Sequence, residues 1–183
     1  MRLLPDPVEI AVESNTQPPA ATTDGPYASL PHLSVAMSAA GSSDPDGDAL
    51  TYAWSFGDGA GATGVAVTHR YGAAGIYRVR LIVTDIRGLA DTTFTSVTII
   101  TPLRAIENAR PLVDALVADE VLDASDGKWL SNKLGVAAML LARDLPIPTL
   151  NQLEEVLRRL EGKEAQVLIA LVTQVIQSLK AGS

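Results

Sequence analysis

Three carboxylates stand on alternate residues in the stretch Gly41-Ser42-Ser43-Asp44-Pro45-Asp46-Gly47-Asp48. Acids spaced this way in one loop repel each other unless water or a hard cation separates them, and calcium, which takes six to eight oxygen ligands, is the cation that suits them. The loop is not an EF-hand. Counted from Asp44, glycine falls at the fourth position instead of the sixth, and the twelfth position is Ser55, so no bidentate acid closes it. A second reading stands beside calcium: Asp, Pro and Gly are also turn residues, and a solvated Asx-rich turn needs no ion.

The other candidates for chemistry thin out quickly. The chain has no cysteine and two histidines, His32 and His69. Thiolate metal sites, disulfides and cysteine nucleophiles are therefore excluded, two lone histidines are too few for zinc, and no serine sits in a nucleophile-elbow pattern. Asp58 is the remaining acid to consider, but paired-carboxylate hydrolysis needs a partner with a separated pKa, and the sequence shows none. No catalytic residue is assigned. Gly59-Ala60-Gly61-Ala62-Thr63-Gly64 spells the GxGxxG of dinucleotide folds, yet it runs into Val65-Ala66-Val67-Thr68-His69, a strand-like stretch, where a pyrophosphate cradle needs a helix N-terminus.

The elements that must carry these residues change character at Pro102. Before it, Gly, Pro, Ser, Thr and Asp clusters separate short runs: Leu33 to Met37, Leu50 to Trp54, Tyr77 to Val83 and Phe94 to Ile99. Tyr77, Val79 and Leu81 alternate with Arg78 and Arg80, the pattern of a strand buried on one face, and several such strands predict a β-sandwich with Trp54, Tyr71 and Tyr77 in its core. Beyond Pro102 the period becomes helical. Leu130, Leu134, Ala137, Ala138 and Leu141 form one stripe, and Leu168, Val172, Val175, Ile176 and Leu179 another. Pro111 is placed in the first turn of an early helix, Thr149 with Gln152 as a capping box, and Glu154–Arg158 and Glu155–Arg159 as i,i+4 pairs on a solvated face. Trp129 borders the Leu130 stripe, where it either packs in a core or a domain interface, the favoured reading, or presents its ring to a partner. Four helices with short connections favour an antiparallel bundle. The expected domains are thus 15–101 and 102–183, with 1–14, including the alternating Val8 to Val12, as a tail or the end of a preceding domain.

Charge and hydropathy narrow the function. The 183 residues are 47% apolar and carry 21 acids against 14 bases, a net charge of −7. Residues 1–101 contribute five Arg and ten acids (5 − 10 = −5), and the remainder nine bases and eleven acids (9 − 11 = −2). Such a chain lacks the electropositive footprint of a nucleic-acid binder. Its longest apolar stretch, Val167 to Ile176, is too short for a membrane span, and Met1 to Pro7 holds no signal-peptide h-region. The chain reads as part of a larger one.

The Asp44–Asp48 loop, followed by Leu50-Thr51-Tyr52-Ala53-Trp54-Ser55-Phe56-Gly57-Asp58-Gly59, then Thr68-His69-Arg70-Tyr71, Gly75-Ile76-Tyr77 and Val83-Thr84-Asp85, closely resembles the PKD (polycystic kidney disease) domain. Asn15 to Pro19 and Gly25-Pro26-Tyr27 resemble its opening, so the likeness covers about residues 15–101. It departs at Ser55, where Asp is common after the tryptophan, and in Tyr27 to Leu33, which lacks the usual acidic-glycine turn. The resemblance implies an immunoglobulin-like sandwich of about seven strands without a disulfide. It also implies a calcium site, because PKD domains of secreted collagenases that bind the ion use positions matched here by Asn15, Asp44, Asp46 and Asp85.

Residues 103–181 resemble the FIMAH-type helical domain of secreted bacterial proteins, through Ala105 to Leu116, Leu130 to Leu134 and Asn151-Gln152-Leu153. The family's Gly-Asn turn is replaced by Leu145-Pro146-Ile147-Pro148, and its third-helix Phe is absent. Together the likenesses imply a non-catalytic accessory region of a secreted or cell-surface bacterial protein, in contact with an extracellular protein or polysaccharide. Two alternatives are a purely structural spacer and the non-catalytic tail of a secreted protease or glycoside hydrolase.

Overall fold

The short β-runs separated by turn residues form strands, and the 3.6-period stripes form helices, in a computed structural model that describes residues 16–182. The strands are β1 (Tyr27–Ser29), β2 (Ser34–Ser38), β3 (Thr51–Ser55), β4 (Gly61–Thr63), β5 (Ala66–Arg70), β6 (Gly75–Thr84) and β7 (Ala90–Ile99). The helices are α1 (Pro102–Ala118), α2 (Ala124–Leu141), α3 (Pro146–Leu160) and α4 (Gln166–Ala181). This is the expected architecture of two domains, an immunoglobulin-like sandwich followed by an all-α bundle. The alternating run Val8 to Val12 lies outside the described residues.

One sheet has the order β1-β7-β6-β3-β4 and the other pairs β2 with β5. The alternation in β6 does what its period demands: Val79, Leu81 and Val83 are fully buried while Arg78 and Arg80 face out. Trp54 fills the space between the sheets, only 4% exposed, and its indole N–H donates to the Gly64 carbonyl at 2.9 Å. Tyr71 is buried with its hydroxyl on the Phe56 carbonyl at 3.1 Å. The GxGxxG stretch is β4 with its flanking turns, not the entry to a helix. Gly57 is required where it stands: its φ is 85°, and a Cβ there would meet the Arg78 carbonyl oxygen at 2.7 Å.

Three helical expectations are corrected by tertiary context. Pro111 is interior to α1, because Thr101 caps the helix, its Oγ1 accepting from Arg104 N at 3.1 Å, and Pro102 occupies the first turn. The interior proline forgoes one backbone bond, which burial of Ile106, Ala109 and Val113 on the same helix offsets. Thr149 is not a cap either. Helix α3 begins earlier, at Pro146, and Thr149 is buried with its Oγ1 donating to the Leu145 carbonyl at 2.7 Å. The pairs Glu154–Arg158 and Glu155–Arg159 do not form, because three of the four charges find partners on other helices: Glu154 with Lys180 at 2.9 Å, Glu155 with Lys133 at 2.5 Å, and Arg159 with Asp126 at 2.5 Å. Trp129 packs half-buried against the helical core, between Lys133 and Arg159, whose cationic groups lie 5.5 and 5.7 Å from its ring centroid.

The two cores meet at a seam. Leu30, from the turn after β1, is 2% exposed and belongs to the helical core, where Leu33 and Ile100 also pack. Ser178 of α4, itself buried, donates its hydroxyl to the Pro31 carbonyl at 2.7 Å.

Candidate metal centre

The loop between β2 and β3 is shaped by its own side chains. Asp44 Oδ1 accepts from the backbone N–H of Asp46 at 2.8 Å and of Asp48 at 3.2 Å, and Gly47, with φ 77°, donates to the Asp44 carbonyl at 3.2 Å. This is the Asx-turn geometry that Asp, Pro and Gly predict. It consumes one oxygen of Asp44 and leaves Oδ2 buried without a hydrogen-bond partner. The carboxylates of Asp44, Asp46 and Asp48 then lie with oxygens within 4.8 Å of one another. At a protein surface, like charges at that separation repel by about 3 kcal/mol per pair.

The neighbouring chain ends close on this loop. Ala20 and Ser43 exchange backbone bonds of 2.8 and 3.1 Å, and Asp46 Oδ2 accepts from the Gln17 backbone N–H at 2.7 Å, which draws the entry to the sandwich onto the cluster. After β6, Asp85 is only 5% exposed; its Oδ1 accepts from the N–H groups of Arg87 and Leu89, both at 2.8 Å, and its Oδ2 has no partner. The Arg87 side chain ties this turn to the loop, with Nε 3.3 Å from Asp48 Oδ2, close enough for an ion pair and misaligned for a hydrogen bond.

Of the four predicted ligands, Asp44 and Asp46 share the cluster and Asp85 stands at the adjacent turn bridged by Arg87. Asn15 lies outside the described residues, two positions before Gln17. The structure adds Asp48, which the alternate spacing of the three acids had already signalled, and Arg87, which nothing local in the sequence connects to Asp48. Buried carboxylate oxygens that accept no hydrogen bond, on Asp44, Asp48 and Asp85, are ligands of the kind a hard divalent cation takes.

A second polar constellation is structural. His69 Nε2 lies 2.6 Å from Asp58 Oδ2, and its ring stacks on Phe56 with centroids 4.2 Å apart. Burial raises the Asp58 pKa, but the His69 contact and the Ala60 N–H outweigh it and hold the carboxyl below its ordinary value. Sequence reasoning found no partner for Asp58 because the two residues belong to the turn after β3 and to β5. His32 has a left-handed backbone, φ 64°, at the seam between the domains, far in the chain from any second histidine. Among the described residues no helix is long and apolar enough to cross a membrane.

Residues 15–100 match the PKD domain family. Over 87 residues the chain is 36% identical to collagenase ColQ1 of Bacillus cereus, covering 48% of this chain and 9% of that protein. Over 83 residues it is 43% identical to the pre-pro-metalloprotease PrtV of Vibrio cholerae, covering 45% of this chain and 8% of that protein. The PKD1 domain of Vibrio anguillarum Epp superposes with a TM-score of 0.42 and 34% identity, over 48% of this chain and 99% of that one. The chain thus spans less than a tenth of the length of these curated relatives.

Proposed function

Residues 15–100 form a PKD domain, and on that premise we propose that the chain is a non-catalytic accessory region of a secreted or cell-surface bacterial protein, in contact with an extracellular protein or polysaccharide. The supporting observation is the kind of similarity found: the same segment recurs as a small fraction of bacterial collagenases and of PrtV, as an appended module would. In this reading helices α1 to α4 are a FIMAH-like companion domain, and the parent protein is a longer extracellular chain.

Calcium belongs to the proposal as a stiffener. Asp44, Asp46, Asp48 and Asp85 would hold it with Asn15, and the oxygens of Asp44, Asp48 and Asp85 that lack a hydrogen-bond partner support the assignment. Bound there, the cation would relieve repulsion in the cluster and tie the entry of the sandwich, held through Gln17 on Asp46, to the turn after β6. The spacer reading has its own support in the seam, where Leu30 and Ile100 join the helical core and Ser178 bonds Pro31, since shared packing fixes the angle between domains.

Pull-down of the purified chain on insoluble polysaccharides, cell-wall fragments and collagen, with calcium and with chelator, tests the reading. Retention on one matrix supports a contact module and identifies its class. No retention on any matrix, with calcium still raising the melting temperature, favours the spacer.

A further inference from the structure

The outward face of the five-stranded sheet differs in charge from the rest of the molecule. The register places Ile76 beside Thr98, Arg78 beside Ser96, Arg80 beside Phe94 and Ile82 beside Thr92, with Ser55 next to Arg80 and Thr63 next to Ala53. The outward strand positions of this sheet contain two arginines and no acid, on a chain of net charge −7. Phe94 is 47% exposed and Ile76 78% exposed. The Arg78 guanidinium lies 3.8 Å from the Phe94 ring centroid, which holds both planes in place, while Arg80 makes no hydrogen bond or ion pair among the described residues. Beside them runs an open groove of about 470 Å³, lined by Thr22, Thr23, Pro26, Arg78, Phe94 and Ser96.

We propose that this face, centred on Arg78, Arg80 and Phe94, binds an anionic polysaccharide bearing uronate or sulfate groups. The inference takes the contact role of the preceding section as its premise and supplies the surface and the ligand chemistry. Guanidinium forks match planar carboxylate and sulfate oxygens in pairs, and a preformed Arg–Phe stack loses less side-chain freedom on binding than two free chains. Rows of Ser and Thr hydroxyls donate and accept, as sugar hydroxyls do. The exposed part of Phe94 offers an apolar contact to the C–H groups of one sugar ring, and Ile76, four residues along the ladder, offers one to the next. An extended acidic peptide fits less well, because an extended strand gains most of its affinity from main-chain bonds at a sheet edge, and this face has its backbone already paired within the sheet. Elsewhere the acidic surface repels such a polymer, which directs it here.

Affinity electrophoresis in chelator, through gels holding polygalacturonate, dextran sulfate, neutral dextran or polyglutamate, tests the proposal without the Asp cluster taking part. The expected result is retardation in polygalacturonate, dextran sulfate or both, weakening as salt rises, and absent in neutral dextran. Arg80→Gln should raise the apparent dissociation constant about fivefold, the size of one exposed charged contact. Arg78→Gln with Arg80→Gln, and Phe94→Ser alone, should weaken it further, with melting temperatures showing that each variant folds. Arg143→Gln, the same charge change on the helical domain, should leave retardation unchanged. Which polymer is retarding separates carboxylate from sulfate recognition. Equal retardation in polyglutamate or neutral dextran, none in any gel, or an equal loss with Arg143→Gln overturns the proposal. Such an outcome with matrix retention intact would remove this face and leave the accessory reading standing.

Discussion

Asp85→Asn is expected to change the sign of its effect with calcium. In the ion-free protein, Asp85 Oδ1 accepts two backbone N–H groups, which the asparagine carbonyl oxygen can also accept as a neutral acceptor, while Oδ2 is buried without a hydrogen-bond partner. Replacing that oxygen by an amide removes a buried charge and keeps both hydrogen bonds; the relief of the charge outweighs the unpaired amide N–H groups it brings, so in chelator the variant should be as stable as the wild type or more so. With calcium the order reverses. Affinities of about 10⁻⁴ to 10⁻³ M, usual for extracellular modules, would make 10 mM calcium stabilise the wild type by about 1.4 to 2.7 kcal/mol, from RT ln(1 + [L]/Kd). For a domain of this size that is a rise of about 5 °C or more in the sandwich transition. Calorimetric melts of both proteins, each in 10 mM calcium and in chelator, read the effect directly. A wild-type melting temperature that does not respond to calcium would refute the site, and an equal rise in Asp85→Asn would place the ion elsewhere.

The same geometry and its surroundings make further predictions. Arg87→Gln removes the guanidinium beside Asp48 Oδ2, a competitor for the ion, and should tighten calcium binding by up to about fivefold in titration calorimetry; the discount reflects the exposure of Arg87, and an unchanged constant would show that Arg87 does not compete. Leu30→Ala, though it sits in the sandwich sequence, should cost about 2 to 5 kcal/mol in the helical transition, because its side chain fills the helical core; a melt in which only the sandwich transition moves would contradict the shared seam. Asp126→Asn tests the buried cluster of Asp126 with Lys163 and Arg159, both at 2.5 Å. The Lys163 hydrogen bond leads in holding the Asp126 carboxyl below its ordinary value, against burial and with Arg159. A depressed folded pKa gives stability that is present above the unfolded pKa and lost as pH falls through the folded one. The variant should therefore melt well below the wild type at pH 7, with the gap closing below about pH 4 as unfolded carboxyls protonate. A gap independent of pH would show that charge is not what Asp126 contributes.

Much of this molecule was legible because its signals are local. Alternation of Tyr77, Val79 and Leu81 with Arg78 and Arg80 requires one buried face whatever the strand pairs with, and the Leu130 to Leu141 stripe requires a helix with a core behind it. The Asp44–Asp48 loop was legible for the same reason: its turn is made by its own side chains within five residues. Helix starts were less so. A capping pair at Thr149 and Gln152 is a sound local pattern, but burial of Thr149 and a proline at position 146 moved the start upstream.

What the sequence determined by itself was therefore the class of each element, the order of sandwich and bundle, the position of the tryptophan core and the acidic loop. What only tertiary structure decided was who meets whom. Asp58 found His69, Asp48 found Arg87, and Glu154, Glu155 and Arg159 left their helical neighbours for Lys180, Lys133 and Asp126. Leu30 left its own domain's core for the next one. The physical reason is one of range: periodicity and turn chemistry act over a few residues, whereas charge pairing and burial are settled by distance in space, which depends on how all the elements pack at once.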